Sequence, residues 1–175
     1  ITQGNVTVDA TSAGVILDGS SLPGGFNTGL SAHSDNNIIR GFRVFGFSGV
    51  GIAIDFGQNN LIENNVSYGN DFGIGLWGKD TTNNIIMGNF LGVDSDGLTQ
   101  QGNRTAGITI MEGANNNIIG PGNQIAFNER SGIEILHAGT VGNKVTQNSI
   151  HDNGQEGIHL WEHGCLLYTS PSPRD

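Results

Sequence analysis

Three short motifs that return in step predict an all-β chain folded as a right-handed, single-stranded parallel β-helix of about six to seven coils. The first motif is Gly, apolar, any residue, apolar. It begins at Gly29, Gly51, Gly73, Gly107, Gly132 and Gly157, with spacings of 22, 22, 34, 25 and 25 residues. The second sets two Asn before two apolar residues, as in Asn36-Asn37-Ile38-Ile39, Asn59-Asn60-Leu61-Ile62, Asn83-Asn84-Ile85-Ile86 and Asn116-Asn117-Ile118-Ile119, and weakens to Gly142-Asn143-Lys144-Val145. The third is a brief apolar burst between them, at Asn65-Val66, Asn89-Phe90, Gln124-Ile125 and Ser149-Ile150.

Each burst alternates apolar residues with others, which is the period of a strand and not of a helix. Three strands per coil of roughly 22 residues cannot bury their apolar side chains alone, but stacked coils at ~4.8 Å bury them continuously. The composition agrees. The chain has 29 Gly in 175 residues and only 13% charged residues, so it turns often and carries few surface charges. Recurrent Ile and Val set it apart from disordered Gly-rich sequence. Periodic Leu of the leucine-rich kind is absent, and so are the ~40-residue antiparallel units of a propeller. Asn60, Asn84 and Asn117 share one place in successive coils and are expected to stack as an amide ladder at a corner. The longest unit holds extra residues between Asn89 and Asn103. That insertion is expected to leave the coil as a loop, walling the face that binds a ligand.

A formal charge of −9 argues against nucleic acid and anionic membranes as partners. No apolar run approaches the ~18 residues of a membrane span. The chain begins at Ile1, so a signal peptide would precede the sequence. The eleven residues from Cys165 to Asp175, CLLYTSPSPRD, break the repeat abruptly and resemble a translated sequencing adapter. They are expected to be an artefactual, disordered tail, leaving 1–164 as a β-helix fragment open at both ends, of bacterial and metagenomic origin. Without that tail no Cys remains, which removes disulfides and thiol catalysis.

The run from Asn83 to Ile110, with Asn-Asn-x-Ile, Asn-Phe-Leu-Gly-Val-Asp-x-Asp-Gly, Gly-Asn and Gly-Ile-Thr-Ile, resembles the bacterial right-handed parallel β-helix repeat proteins. Leu17-Asp18-Gly19-Ser20-Ser21-Leu22-Pro23-Gly24-Gly25 is similar to the segment that opens the solenoid in that group. The resemblance spans Val6 to Leu160. It implies the pectate-lyase-like fold, whose members bind, hydrolyse, cleave by elimination or epimerise carbohydrates and are mostly secreted. Fold alone does not choose among these.

With the isoleucines of the first motif pointing inward, alternate residues point out. One outward row is Ser31, Ala53, Gly75, Thr109, Glu134 and His159; the next is His33, Asp55, Trp77, Met111, Leu136 and Trp161. Glu134 and His159, with His137 and Glu162 close by, make a carboxylate/imidazole set suited to acid–base work, or simply the polar outside of a sheet. Trp77 and Trp161 lie three coils apart and suit stacking on sugar rings, unless the insertion covers Trp77. Asp94 and Asp96 could lend oxygen ligands to Ca²⁺, although Asp-Gly pairs equally build tight turns. His33 beside Asp55 reads as a surface pair. Otherwise no metal site or cofactor is expected.

The function expected from these residues is a secreted or cell-surface domain, extracellular or periplasmic and monomeric, that binds and in some form processes a polysaccharide. A structural or adhesive stalk is the first alternative. A polysaccharide lyase, glycoside hydrolase or epimerase with its site partly outside the fragment is the second.

Overall fold

The computed structural model describes residues 1–161. Six coils follow one another, each of three short strands. They are β1 (Thr7–Asp9), β2 (Ile16–Asp18) and β3 (Leu30–Ala32); β4 (Ile38–Arg40), β5 (Arg43–Phe45) and β6 (Val50–Asp55); β7 (Leu61–Glu63), β8 (Val66–Tyr68) and β9 (Phe72–Trp77). After them come β10 (Ile85–Met87), β11 (Phe90–Leu91) and β12 (Ala106–Met111); β13 (Ile118–Ile119), β14 (Gln124–Ala126) and β15 (Ser131–Ile135); β16 (Lys144–Val145), β17 (Ser149–His151) and β18 (Ile158–Leu160). Every third strand joins one sheet: the first runs β1-β4-β7-β10-β13-β16, the second β2-β5-β8-β11-β14-β17, the third β3-β6-β9-β12-β15-β18. The pairs are parallel throughout, as between β6 and β9 or β12 and β15. This is the parallel β-helix that the repeats predict, and no helix of the described residues is long and apolar enough to cross a membrane.

The registers stack like residues on like. Ile52, Ile74, Ile108, Ile133 and Ile158 form one inward column of the third sheet, and Ile54, Leu76, Ile110, Ile135 and Leu160 the next. The first sheet adds Ile39, Ile62, Ile86 and Ile119, which are all fully buried. The Gly at the start of the third-sheet strands, from Gly29 to Gly132, is there because the chain comes close to the wall beside it. A Cβ on Gly107 would sit 2.5 Å from Cγ2 of Ile125 and 3.0 Å from Nδ2 of Asn128, so only hydrogen fits.

Asparagine holds the corners, and three ladders form where the sequence led us to expect one. At the corner before the first sheet, Oδ1 of Asn60 accepts from the backbone N–H and Nδ2 of Asn37 at 2.8 and 2.9 Å. Asn84 serves Asn60 in the same way at 2.8 and 3.0 Å, Asn117 serves Asn84, and Asn143 serves Asn117. The second ladder is Asn65, Asn89, Asn123 and Asn148; the third is Asn70, Asn103, Asn128 and Asn153. Spare Nδ2 hydrogens go to backbone carbonyls, as from Asn84 to Gly57 at 2.9 Å. The Asn preceding each of the first four rungs of the first ladder, such as Asn59 with φ 55° and Asn83 with φ 58°, takes the left-handed conformation that Asn tolerates better than most residues.

The insertion after β11 folds as a small hairpin closed by an antiparallel bridge between Val93 and Gln100. It lies on the second sheet and not beside the third. Arg43 of β5 pairs with Asp94 at 2.7 Å, and Gln124 of β14 donates to the carbonyl of Gly97 at 2.6 Å. The expected wall beside Trp77 is therefore not formed. The hairpin leaves the coil right after the second-sheet strand β11, and those two anchors turn it back over that sheet.

Two substitutions test this architecture by urea unfolding. Ile110→Ala removes a fully buried side chain and is expected to cost ~2–5 kcal/mol. Asn117→Ala strips the acceptor from two donors of Asn84 and is expected to cost at least ~1–3 kcal/mol through unpaired buried polar groups. A loss under ~0.5 kcal/mol for Asn117→Ala would show the ladder to be dispensable.

Candidate functional site

The outer face of the third sheet carries the two rows the sequence predicts. Ser31, Ala53, Gly75, Thr109, Glu134 and His159 follow one another in direct register. Asp55, Trp77 and Met111 do the same, and Leu136 and Trp161 extend that row by backbone hydrogen bonds to Ile110 and Ile135. Between its half-buried ends, Ser31 and His159, the first row is not solvent-facing, however. Ala53 and Thr109 are fully buried and Glu134 is 5% exposed. Side chains of the second row cover it: the Trp77 indole lies over Gly75, where a Cβ would meet Cε2 at 2.9 Å.

Near the last coil the cover opens into a cleft of about 440 Å³ lined by Arg130, Glu134, Leu136, His137 and Trp161. Sequence reasoning put Glu134, His137 and Trp161 near one another, and the structure brings them to one cavity. Burial raises the pKa of the Glu134 carboxyl, opposed by the charges of Arg130 and His159, while Glu156 pushes it further up. The buried Ser131 hydroxyl lacks a hydrogen bond of standard geometry and leans toward the same carboxyl. His159 turns its Nδ1 to Glu156 at 3.3 Å and meets Trp161 edge-on, ring centres 5.5 Å apart. Glu162, the remaining member of the predicted set, lies outside the described residues, as does the segment from Cys165 to Asp175.

Arg130 was not foreseen. Its only signal in the sequence is a charged pair, Glu129-Arg130, in a corner just ahead of a strand. Among the described residues Arg40, Arg43 and Arg104 each hold a carboxylate at 2.7 Å, on Asp9, Asp94 and Asp71. No carboxylate lies within 4 Å of Arg130 among them, and its side chain is exposed at the cleft.

Trp77 forms a second station three coils away. Phe26 packs on it at 5.7 Å between ring centres, so Phe26 and not the insertion is its neighbour. Beside it Ser31, His33 and Asp55 gather, with Ser31 Oγ 2.7 Å from Nε2 of His33 and 3.2 Å from Oδ2 of Asp55. The carboxylate addresses the hydroxyl and the same ring nitrogen, at 3.7 Å, so it does not orient the imidazole from its far side as an activated serine would need. Asp94 and Asp96 are occupied within the hairpin: Asp94 by Arg43, and Asp96 by the amides of Leu98 and Thr99, both at 2.8 Å. Hydrogen bonds from Thr99 and Leu98 hold the Asp96 carboxyl below its usual range. Among the described residues the buried polar side-chain atoms without a partner are Trp77 Nε1, Thr109 Oγ1 and Ser131 Oγ, and all three belong to the third sheet.

A parallel β-helix with an aromatic and carboxyl-bearing outer face is thus the class of protein defined. A family model described as periplasmic copper-binding protein (NosD) matches residues 6–165, and the chain belongs to that family. Among solved structures it is similar to the periplasmic alginate epimerase AlgG. A point mutant of that enzyme shares 27% identity at a TM-score of 0.62, over 83% of this chain and 31% of the epimerase chain. A second AlgG structure shares 24% identity at a TM-score of 0.63, over 91% and 34%. The chain therefore spans about a third of the epimerase it matches. No curated protein matches it. Both the family and the epimerase are periplasmic, which supports a location outside the cytoplasm.

Copper calls for thiolate, thioether or imidazole donors converging on one point. The described residues do not fit it: no group of three or more His, Cys, Asp or Glu is placed to hold a metal, and His159 is turned to Glu156.

The Glu134 pKa sets a pH dependence of stability. A carboxyl whose pKa is raised on folding keeps its proton longer in the folded state than in the unfolded one. Stability therefore falls as pH rises from the ordinary value of 4.5 through the raised one. Glu134→Gln stays neutral, so it should melt higher than the parent at neutral pH, with the gain vanishing below about pH 4.5. A gain that persists in acid would mean that burial of the charge is not its source.

Proposed function

We propose that this chain is a periplasmic β-helix domain that binds a polysaccharide along the outer face of its third sheet. The domain is taken as 1–164, with Cys165–Asp175 no part of it. The observation that carries this reading is the cleft at Trp161, where an aromatic platform, a nearly buried carboxyl and a guanidinium without a carboxylate partner among the described residues meet on one face. About 440 Å³ falls within the range of small-ligand sites. Trp161 is 50% exposed, which suits stacking on the apolar face of a sugar ring.

Trp77 with Phe26 offers a second platform in the same row, three coils or roughly 14 Å along the axis. Two platforms so spaced fit an extended chain better than a compact ligand. Similarity to an enzyme named for a polysaccharide, alginate, supports the same class of partner. A second reading, that the domain also processes the glycan, draws on Glu134: a carboxyl with a raised pKa beside an imidazole in register is equipped for proton transfer.

Titration of intrinsic Trp fluorescence against a panel of polysaccharides tests the proposal. Trp161→Ala is expected to weaken binding about tenfold and Trp77→Ala to weaken it for long chains more than for short ones. Unchanged affinity in Trp161→Ala would remove the cleft from the site, and no binding to any glycan would favour a structural stalk.

A further inference from the structure

We infer that the Trp161 cleft is built for a carboxylate-bearing sugar residue, held by Arg130 and Glu134 together. This rests on the polysaccharide reading of the same cleft and adds the class of sugar it selects.

The chain as a whole repels polyanions, with a net charge of −9, yet charge at short range is decided locally. The carboxylates of Asp9, Asp71 and Asp94 are each neutralised by an arginine, so the one guanidinium left over among the described residues stands at the cleft. A planar fork of N–H donors matches a sugar carboxylate by two parallel hydrogen bonds. The groups around Glu134 leave room for an anion. Ser131 and Thr109 are neutral, His159 is matched against Glu156, and His137 lines the cleft. The opposing charges are Glu129 beside Arg130 in the chain, Glu156, and Glu112, which holds the place of His137 one coil earlier; Glu112 and His137 both take a left-handed backbone, φ 58° and 70°.

Glu134 completes the site. Two carboxyl groups in hydrogen-bond contact do not both ionise. With a sugar carboxylate on Arg130, the Glu134 carboxyl keeps its proton and donates it in a hydrogen bond to the ligand. Its burial already favours that form. Binding therefore takes up a proton, and affinity for the acidic sugar falls as pH rises, whereas affinity for a neutral sugar does not. Trp161 covers the ring face of whichever sugar enters.

The test compares an oligouronate with the same oligomer after reduction of its carboxylates to alcohols, by calorimetry near pH 5 and near pH 8. The acidic oligomer should bind at least about tenfold tighter at the lower pH, and its advantage should shrink at the higher one. Arg130→Gln, at an exposed position, should abolish that advantage while leaving the neutral oligomer bound. Glu134→Gln should keep the acidic oligomer bound and remove the pH dependence. Equal affinities for the two oligomers, or an advantage untouched by Arg130→Gln, overturns the inference. In that case the polysaccharide reading survives if both oligomers bind and Trp161→Ala weakens them. If neither oligomer nor any other glycan binds, that reading fails and this one with it.

Discussion

Backbone amides at a tight corner cannot all find partners in a sheet, and in this molecule a buried asparagine amide supplies the missing acceptor at each of three corners. One Oδ1 receives both the main-chain N–H and the side-chain Nδ2 of the asparagine a coil earlier, as Asn89 does for Asn65. Each rung is satisfied only if the next coil stands directly above it. That requirement fixes the register of the coils, and with it the stacking of Ile52, Ile74, Ile108 and Ile133 inside. An unpaired buried polar group costs more than a formed bond returns, so the ladders act chiefly by penalising any slip.

A solenoid pinned from within leaves its outside free to vary. The third sheet shows this most clearly. Its inward columns are aliphatic at nearly every level, while its outward row passes from Ala53 through Gly75 and Thr109 to Glu134 without disturbing the core. The same sheet holds Trp77 Nε1, Thr109 Oγ1 and Ser131 Oγ, the unpartnered buried polar atoms of the described residues. These three atoms lie on the same sheet as the Glu134 carboxyl, whose pKa is raised by burial.

The family and the enzyme it is similar to point to different chemistries, copper in one case and a polysaccharide in the other. Among the described residues the polar side chains of the third sheet meet hydroxyls, rings and single carboxylates, not a converging set of metal donors. A repeating coil is a neutral frame in this respect: what it binds depends on which side chains its outer rows carry.

The repeat of Gly, Asn-Asn and apolar pairs determined the coil, the strand order, the inward columns and the two outward rows, because each depends on a period of two along the strand and a near-constant period along the chain. Hence Trp77 and Trp161 could be placed in one row, and Glu134 next to His159, before any coordinates. The ladder through Asn60, Asn84 and Asn117 was legible for the same reason. The ladders from Asn65 and Asn70 were not, since the doublet Asn64-Asn65 is not repeated at Asn89, Asn123 or Asn148, and Asn70, Asn103, Asn128 and Asn153 have no doublet at all. Only the tertiary structure decided what the outward residues meet. Packing of the Trp77 ring over Gly75 buries a row that alternation alone would expose. Ion pairing drew the insertion onto Arg43 of the second sheet and away from Trp77. Arg130 joins the cleft because its corner stands beside Glu134 and Trp161 in the folded coil, and proximity of that kind is set by distances between coils that no spacing along the chain contains.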